Sequence, residues 1–260
     1  MLKEELLKTF KSKKSLLIFC YLIIVAISDN VCGILQTGES GGYFNAHPAY
    51  MSLLSGQSAL VFYALFIWLL PVTVILLYCS RYNQEYKNHM QYIYTVKAGR
   101  KKYFFSKLGC SFIVSVIYFG LPLVINLIIY VLFLHGGTSF CDLETMSASE
   151  LGSNFLYYCI QHPYIAWIGY FIVAIIVFGL AGAMSQSIAI ISNDNRITLS
   201  VAFAIWIALF STKYDLTMAI QPYCEYGVNY ALKALLIFIP IVIITSVAAY
   251  ISMVVKRDEI

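Results

Sequence analysis

Charge is what this sequence has least of. Only 12% of its 260 residues are Asp, Glu, Lys or Arg, against 60% hydrophobic, and its mean hydropathy is +0.78. A soluble domain of this length carries roughly twice that share of charge and less apolar mass. Catalytic patterns are scarce too. No glycine is followed by lysine, so the phosphate-cradling loop ending Gly-Lys-Ser/Thr is absent, and the chain does not hydrolyse ATP by that route. It has no His-Glu-x-x-His, and no Asp or Glu lies deep in an apolar run. An intramembrane protease therefore has neither its metal motif nor its carboxylate pair. All four histidines (His47, His89, His135, His162) fall between apolar runs. His135, Cys141, Asp142 and His162 match no metal-ligand spacing and read as solvated loop residues. Asp29 and Lys233, both near the ends of apolar runs, are the only ionisable groups that approach them. This argues against a proton-coupled transporter or a charge-lined channel. The chain is thus read as no enzyme, with no catalytic residue, metal or cofactor of its own.

What is present is apolar length. About 20 apolar residues span a bilayer core. Six such runs are expected, near Leu16–Leu35, Ala59–Cys79, Leu108–Leu134, Pro163–Ile191, Thr198–Thr212 and Ala234–Val255. The fifth is short, and Asp29-Asn30 interrupts the first. The fold class is all-α and polytopic: one transmembrane domain over residues 1–260. Leu16–Ser28 with Ala26-Ile27-Ser28 also resembles a signal peptide and its cleavage site. The apolar run resumes over Val31–Leu35, which favours an uncleaved span, and either alternative leaves the other helices oriented alike. Pro71, Pro122 and Pro240 fall inside spans and are expected to kink them.

The few charges are distributed unevenly. Of 17 Lys/Arg, the segments before Leu16, from Ser80 to Lys107, from Ser192 to Ile197 and after Val255 hold five, seven, one and two. Only Lys213 and Lys233 fall on the other side. Seven of the 13 acids lie on that side, so it carries −5 and the basic side +9. Positively charged loops stay cytoplasmic, which places both termini inside a cell membrane. The net charge of +4 is accounted for by topology and does not point to nucleic acid. Of the seven cysteines, Cys141 and Cys159 share one external loop and could pair, with free thiols the expected state.

Met1–Lys14 projects as a surface helix, with Leu2, Leu6, Leu7 and Phe10 on one face and Glu4, Glu5, Lys8 and Lys11 on the other. A merely basic leader that obeys the charge rule is an equal alternative. Gln36–Ser58 is Gly/Ser-rich and reads as a flexible external loop. Two further external segments are His135–His162, which has no Lys or Arg, and Lys213–Lys233, whose aromatics suit an interfacial or re-entrant position.

The most informative loop is cytoplasmic, Ser80–Lys107. Helical projection puts Tyr86, Met90, Ile93 and Tyr94 on one face and Lys87, Asn88 and Gln91 away from it. Gly99 breaks the helix, and Arg100-Lys101-Lys102 leads into the third span. A connecting loop in water gains nothing from an apolar face, so this face is expected against headgroups or a protein. In the third span Ser111, Ser115, Tyr118, Pro122, Asn126 and Tyr130 share one stripe about 120° wide. That stripe could line a substrate path, with Ser115, Tyr118 and Asn126 as candidates, or pack against another helix. In the fourth, Gly179, Ala183 and Ser187 recur every four residues and suit close helix packing, within the chain or between subunits.

Together these features resemble the type 2 ABC exporter permease family. The resemblance runs over nearly the whole chain. It rests on an N-terminal surface helix, six spans with both ends inside, a helical cytoplasmic loop between spans two and three, a Pro-containing stretch before span six, and the charged tail Lys256-Arg257-Asp258-Glu259. Glu85 through Lys107 carries it most, as an acid, an apolar helix, a glycine and a basic cluster in order. The resemblance implies that Glu85, Tyr86, Met90, Ile93, Tyr94, Gly99 and Arg100 form a coupling helix docking on a separate ATPase, which would hold ATP and Mg. It further implies a second permease copy and an exported cargo such as a peptide, bacteriocin or antibiotic. The rival reading is a membrane scaffold or sensor that binds a cytoplasmic partner without moving anything.

Overall fold

The computed structural model describes residues 1–39, 45–140, 143–146, 151, 154–223 and 227–255. Every regular element among them is a helix, apart from one isolated bridge between Ala46 and Ser139. Four helices are long and apolar enough to cross a membrane: α2 (Lys13–Glu39), α8 (Arg100–Phe133), α10 (Pro163–Ser192) and α13 (Gly227–Tyr250, continued by a π-helical turn over Ile251–Val255). This is the architecture of an α-helical membrane protein. Shorter elements fill the intervals: α1 (Leu2–Phe10), α3 (Pro48–Met51), α4 (Leu60–Ile67), α5 (Leu70–Val74), α6 (Ser80–Lys87), α7 (Met90–Ala98), α9 (Asn154–Gln161), α11 (Asn195–Phe210) and α12 (Leu216–Ile220).

Six uniform spans are not what is found. The expected second span is two pieces, Leu60–Ile67 and Leu70–Lys87, bent by 42°. Pro71 is the cause: it has no N–H to give the Ile67 carbonyl four residues back, and its ring crowds that carbonyl. The indole Nε1–H of Trp206 on α11 donates to the freed oxygen at 2.9 Å. The break is therefore satisfied by hydrogen bonding and tied to another helix. Pro122 and Pro240 lie within α8 and α13 without ending them. The expected fifth span corresponds to α11, whose 16 residues reach only about 24 Å, short of a hydrocarbon core of about 30 Å.

At the centre α8 packs along α10, and small residues set the separation. A Cβ on Gly182 would lie 2.2 Å from Ser115 Oγ and 3.0 Å from the Ser111 carbonyl oxygen, and one on Gly179 only 2.5 Å from the Phe112 ring. Ser111 Oγ donates to the Gly182 carbonyl at 2.7 Å in the space so gained. Further along α10, Ala183 is buried and Ser187 Oγ lies 3.3 Å from Ser246 Oγ of α13. The Gly179/Ala183/Ser187 face is thus used within this chain.

The stretch expected to be a flexible loop is, over residues 45–58, folded into the bundle; residues 40–44 lie outside the described residues. Tyr50, Met51, Leu53 and Leu54 are buried, as is the capping His47, whose Nδ1 accepts from the Ala49 N–H at 3.1 Å. Buried backbone needs partners, and the helices supply them. Leu53 N–H donates to Asn126 Oδ1 of α8 at 2.8 Å, and Trp167 of α10 donates to Ser52 Oγ at 3.0 Å. Ser58 hydrogen-bonds Asp29 of α2, and Gln221 bonds the Ser55 carbonyl. The segment Lys213–Lys233, expected at the interface or re-entrant, has α12 buried against the same region. His47, Tyr50, Phe140 and Tyr223 close that end as a ring cluster with centroids 5.0–5.9 Å apart.

Two outcomes follow. Gly182→Val should lower the melting temperature of the detergent-purified protein sharply, by the equivalent of about 1–3 kcal/mol of overpacking. Gly169→Ala on the same helix, with open space around its Cα, should leave it unchanged. Second, burial lowers the His47 pKa from 6.5 to about 4. Above pH 6.5 the packed and unfolded states are both neutral there. Below it the unfolded chain takes up a proton that the cap refuses, so stability is lost as pH falls from 6.5 toward 4. Thermal melts at pH 7 and 5 should show a smaller drop for His47→Asn, which keeps a capping acceptor that does not titrate.

Candidate partner-docking site

The hairpin between the bent α4–α6 rod and α8 is built on a charge network. Lys107, on the first turns of α8, is only 1% exposed, as are Glu5 at 2% and Glu85 at 7%. Its Nζ donates to Glu5 Oε2 of α1 at 2.8 Å and to Glu85 Oε2 of α6 at 2.7 Å. Arg81 Nε lies 3.3 Å from the other Glu85 oxygen, and the Tyr103 hydroxyl donates to Oε2 at 3.2 Å. The Tyr103 and Tyr78 rings flank the ammonium at 5.3 and 5.6 Å. Each buried carboxylate has a cation beside it, Lys107 within the network and Arg81 at its half-exposed edge, as burial requires.

Neither end of the network was expected. The projection of residues 1–14 set Glu5 on the outer, polar face and Leu2, Leu7 and Phe10 against the membrane surface. In the structure α1 turns Glu5 and Thr9 to the bundle, while Leu2, Leu7 and Phe10 face outward, where a membrane surface would meet them. In the sequence Lys107 is one of the seven basic residues counted between Ser80 and Lys107. It is separated in the structure from Lys101 and Lys102, which are exposed.

The hairpin itself is two helices, not one. Asn88 and His89 end α6, with His89 in the left-handed region at φ 58°, and α7 restarts at Met90. Gly99, at φ 80° and ψ 143°, makes the turn into α8, a backbone setting that side chains disfavour. The break after Lys87 shifts the helical register, so the expected face of Tyr86, Met90, Ile93 and Tyr94 does not form as one surface. Tyr94 packs inward, its ring 6.3 Å from that of Tyr103 and under Lys8 Nζ at 5.2 Å. Gln91, expected to point outward, is 3% exposed. Tyr86 is half-buried on α6, and Glu85 is held in the network.

The outward arc of α7 is Met90, Tyr92, Ile93 and Val96, about 160° wide at 100° per residue, with Val96 85% exposed. Tyr92 and Val96 are the residues that the sequence projection missed. The αL break at His89 has no strong sequence signal, although the two apolar residues themselves were visible. Lys97 and the Lys101–Lys102 pair flank the arc and are exposed, and Arg100 is half-buried.

The other candidate residues are packed. Ser115 lies against Gly182, and the Tyr118 hydroxyl bonds Ser15 of α2 between the Phe10 and Phe19 rings. Asn126, fully buried, joins three elements. Its Nδ2 lies 3.0 Å from both the Ala26 carbonyl and Asp29 Oδ2, while its Oδ1 accepts from Leu53. The Tyr130 hydroxyl meets the Asp29 carbonyl at 2.9 Å, in space that a Cβ on Gly33 would fill. The polar stripe of α8 therefore holds helices together, and the substrate-path alternative for these three residues gives way to packing. The Cys141–Cys159 pairing and the Cys141/Asp142 part of the loop cluster fall outside the described residues, as does the charged tail.

No family model matches the chain, and no solved structure does. Over 255 residues it is 32% identical to YybM, an uncharacterized protein of Bacillus subtilis (strain 168), covering 96% of this chain and 97% of that one. The chain belongs to the same family as YybM.

The charge network makes a direct prediction. Lys107→Met leaves two carboxylates buried with one base short, which should cost about 3–5 kcal/mol and show as a lowered melting temperature with early proteolysis at the α1–α2 elbow. Adding Glu5→Gln and Glu85→Gln should recover most of the loss, because the penalty comes from unpaired charge.

Proposed function

We propose that this chain is the membrane subunit of an ATP-driven exporter of the type 2 ABC permease kind, with α7 as the helix that docks on a separate ATPase. The observation that carries this reading is the exposed apolar arc Met90, Tyr92, Ile93 and Val96. It stands on a hairpin whose base is fixed by Lys107, Glu5 and Glu85. A flexible loop would yield when pushed, whereas this one would pass the push into α8. On this reading α2, the bent α4–α6 rod, α8, α10, α11 and α13 are the six spans. Both termini then lie in the cytoplasm, as the basic residues favour. A second copy completes the transport unit, the ATPase brings ATP and Mg, and the cargo is of the peptide, bacteriocin or antibiotic class. Since the polar stripe of α8 is consumed in packing, the route for cargo belongs between the two copies.

Purification of the full chain from its native membrane tests this. A Walker-motif ATPase should co-purify with the wild type and with Lys101→Ala, whose peripheral charge is screened. Met90→Asp and Val96→Asp should each weaken that association about 10- to 100-fold, since one buried apolar anchor contributes about 1.5–3 kcal/mol. Membrane insertion should be unaffected. A different stoichiometric partner would favour the scaffold reading. Retention of the ATPase by both Asp variants would reject α7 as its dock.

A further inference from the structure

Behind the hairpin, where the elbow between α1 and α2 faces the inner part of the broken span, lies a cavity of about 540 Å³. Its cations come from two elements: Lys11, Lys13 and Lys14 from the elbow and Arg81 from α6. Lys8 adds a fifth, although its ammonium is turned to the Tyr94 ring. Among the described residues no Asp or Glu lines the space. On α1 and α6, which supply part of the wall, the buried carboxylates are already engaged. Glu5 is held by Lys107, and Glu85 is shared between Lys107 and the Nε edge of Arg81, which leaves the rest of that guanidinium uncommitted by an ion pair. Like charges gathered in this way repel unless an anion joins them.

The remaining wall is apolar. Leu76 and Leu77 line it from the π-helical turn Ile75–Cys79, where the widened backbone pushes side chains out of the regular α-helical register. Leu76 is exposed, as are Leu16 and Leu17 on the first turns of α2. The cavity thus joins a basic mouth to a surface that belongs in acyl chains. A free phosphate or nucleotide would use the mouth alone. An amphiphile with an anionic head uses both.

We propose that this cavity binds an anionic phospholipid, with its phosphate among Lys11, Lys13, Lys14 and Arg81 and an acyl chain along Leu76 and Leu77. Basic pockets between membrane helices take such headgroups. The lipid would clamp the elbow to the broken span and so fix how α1 presents Glu5 to Lys107. Only the leaflet, the inner one, rests on the topology proposed above; the binding does not.

The test uses the full chain in neutral detergent, with phosphatidylglycerol, phosphatidylcholine or inorganic phosphate added. Retained lipid is read by native mass spectrometry, and stability by melting temperature. Phosphatidylglycerol should be retained and should raise the melting temperature, and the other two should do neither. Lys11→Gln with Lys14→Gln should weaken phosphatidylglycerol binding by about tenfold or more. Lys101→Gln with Lys102→Gln, an equal loss of charge outside the cavity, should leave it unchanged. Lys11→Arg with Lys14→Arg should keep it, which separates lost charge from lost folding. Equal retention of the two lipids, equal weakening by both Gln pairs, or full protection by phosphate alone would overturn the proposal. Absence of a co-purifying ATPase would count against the exporter reading and leave this result standing.

Discussion

One buried ammonium organises the hairpin end of this molecule. Lys107 reaches back 102 residues to Glu5 and 22 residues to Glu85, joining the N-terminal helix, the hairpin and the first turns of α8. Desolvating a charge costs several kcal/mol, and the attraction among the partners offsets that only when the geometry is good and no charge is left over. Here the contacts are short, Arg81 supplies the second base, and tyrosine faces cover the ammonium. Such a network adds little net stability over an apolar core. It ties α1 and α6 to α8, because Lys107 loses a carboxylate partner if either moves away. The orientation of the exposed α7 arc is inherited from it.

The far end is organised by hydrogen bonds of a different kind. Asn126 and Tyr130 on α8 hold Asp29 of α2 and, through Leu53, the inserted segment at residues 45–58. Trp167 and Gln221 bind the same segment from α10 and beyond α12. The inserted segment and the Pro71 break each have polar side chains bonded to their backbone, and Trp206 does this for the Pro71 break. Without water to fill vacant positions, irregular backbone survives only where protein satisfies it.

The long helices were legible because their signal is local and continuous. Leu16–Leu35 and Pro163–Ile191 became Lys13–Glu39 and Pro163–Ser192 with little change at most of their ends. The break at Pro71 was flagged as a kink, but its degree and its Trp206 partner were not, since the latter lies 139 residues away. Glycines at 38, 41 and 42 drew residues 45–58 into a loop reading, although Tyr50, Met51, Leu53 and Leu54 already argued for burial. The docking face was half legible. Met90 and Ile93 stand where projection put them, while Tyr94 and Gln91 exchange sides, because one left-handed residue at His89 resets the helix. Hydropathy could not distinguish Lys107 from Lys101 and Lys102. A buried base and a surface base have the same letter, and only the partner tells them apart.

The continuity of α8 has a mechanical consequence. Its 34 residues form one rod about 50 Å long. Near one end it carries Lys107, and toward the other Asn126 and Tyr130. A rotation of about 5° about either end would displace the other by roughly 4 Å, more than a hydrogen bond can follow. On the proposed reading, a thrust on the hairpin would travel along this helix toward Asp29 and the inserted segment.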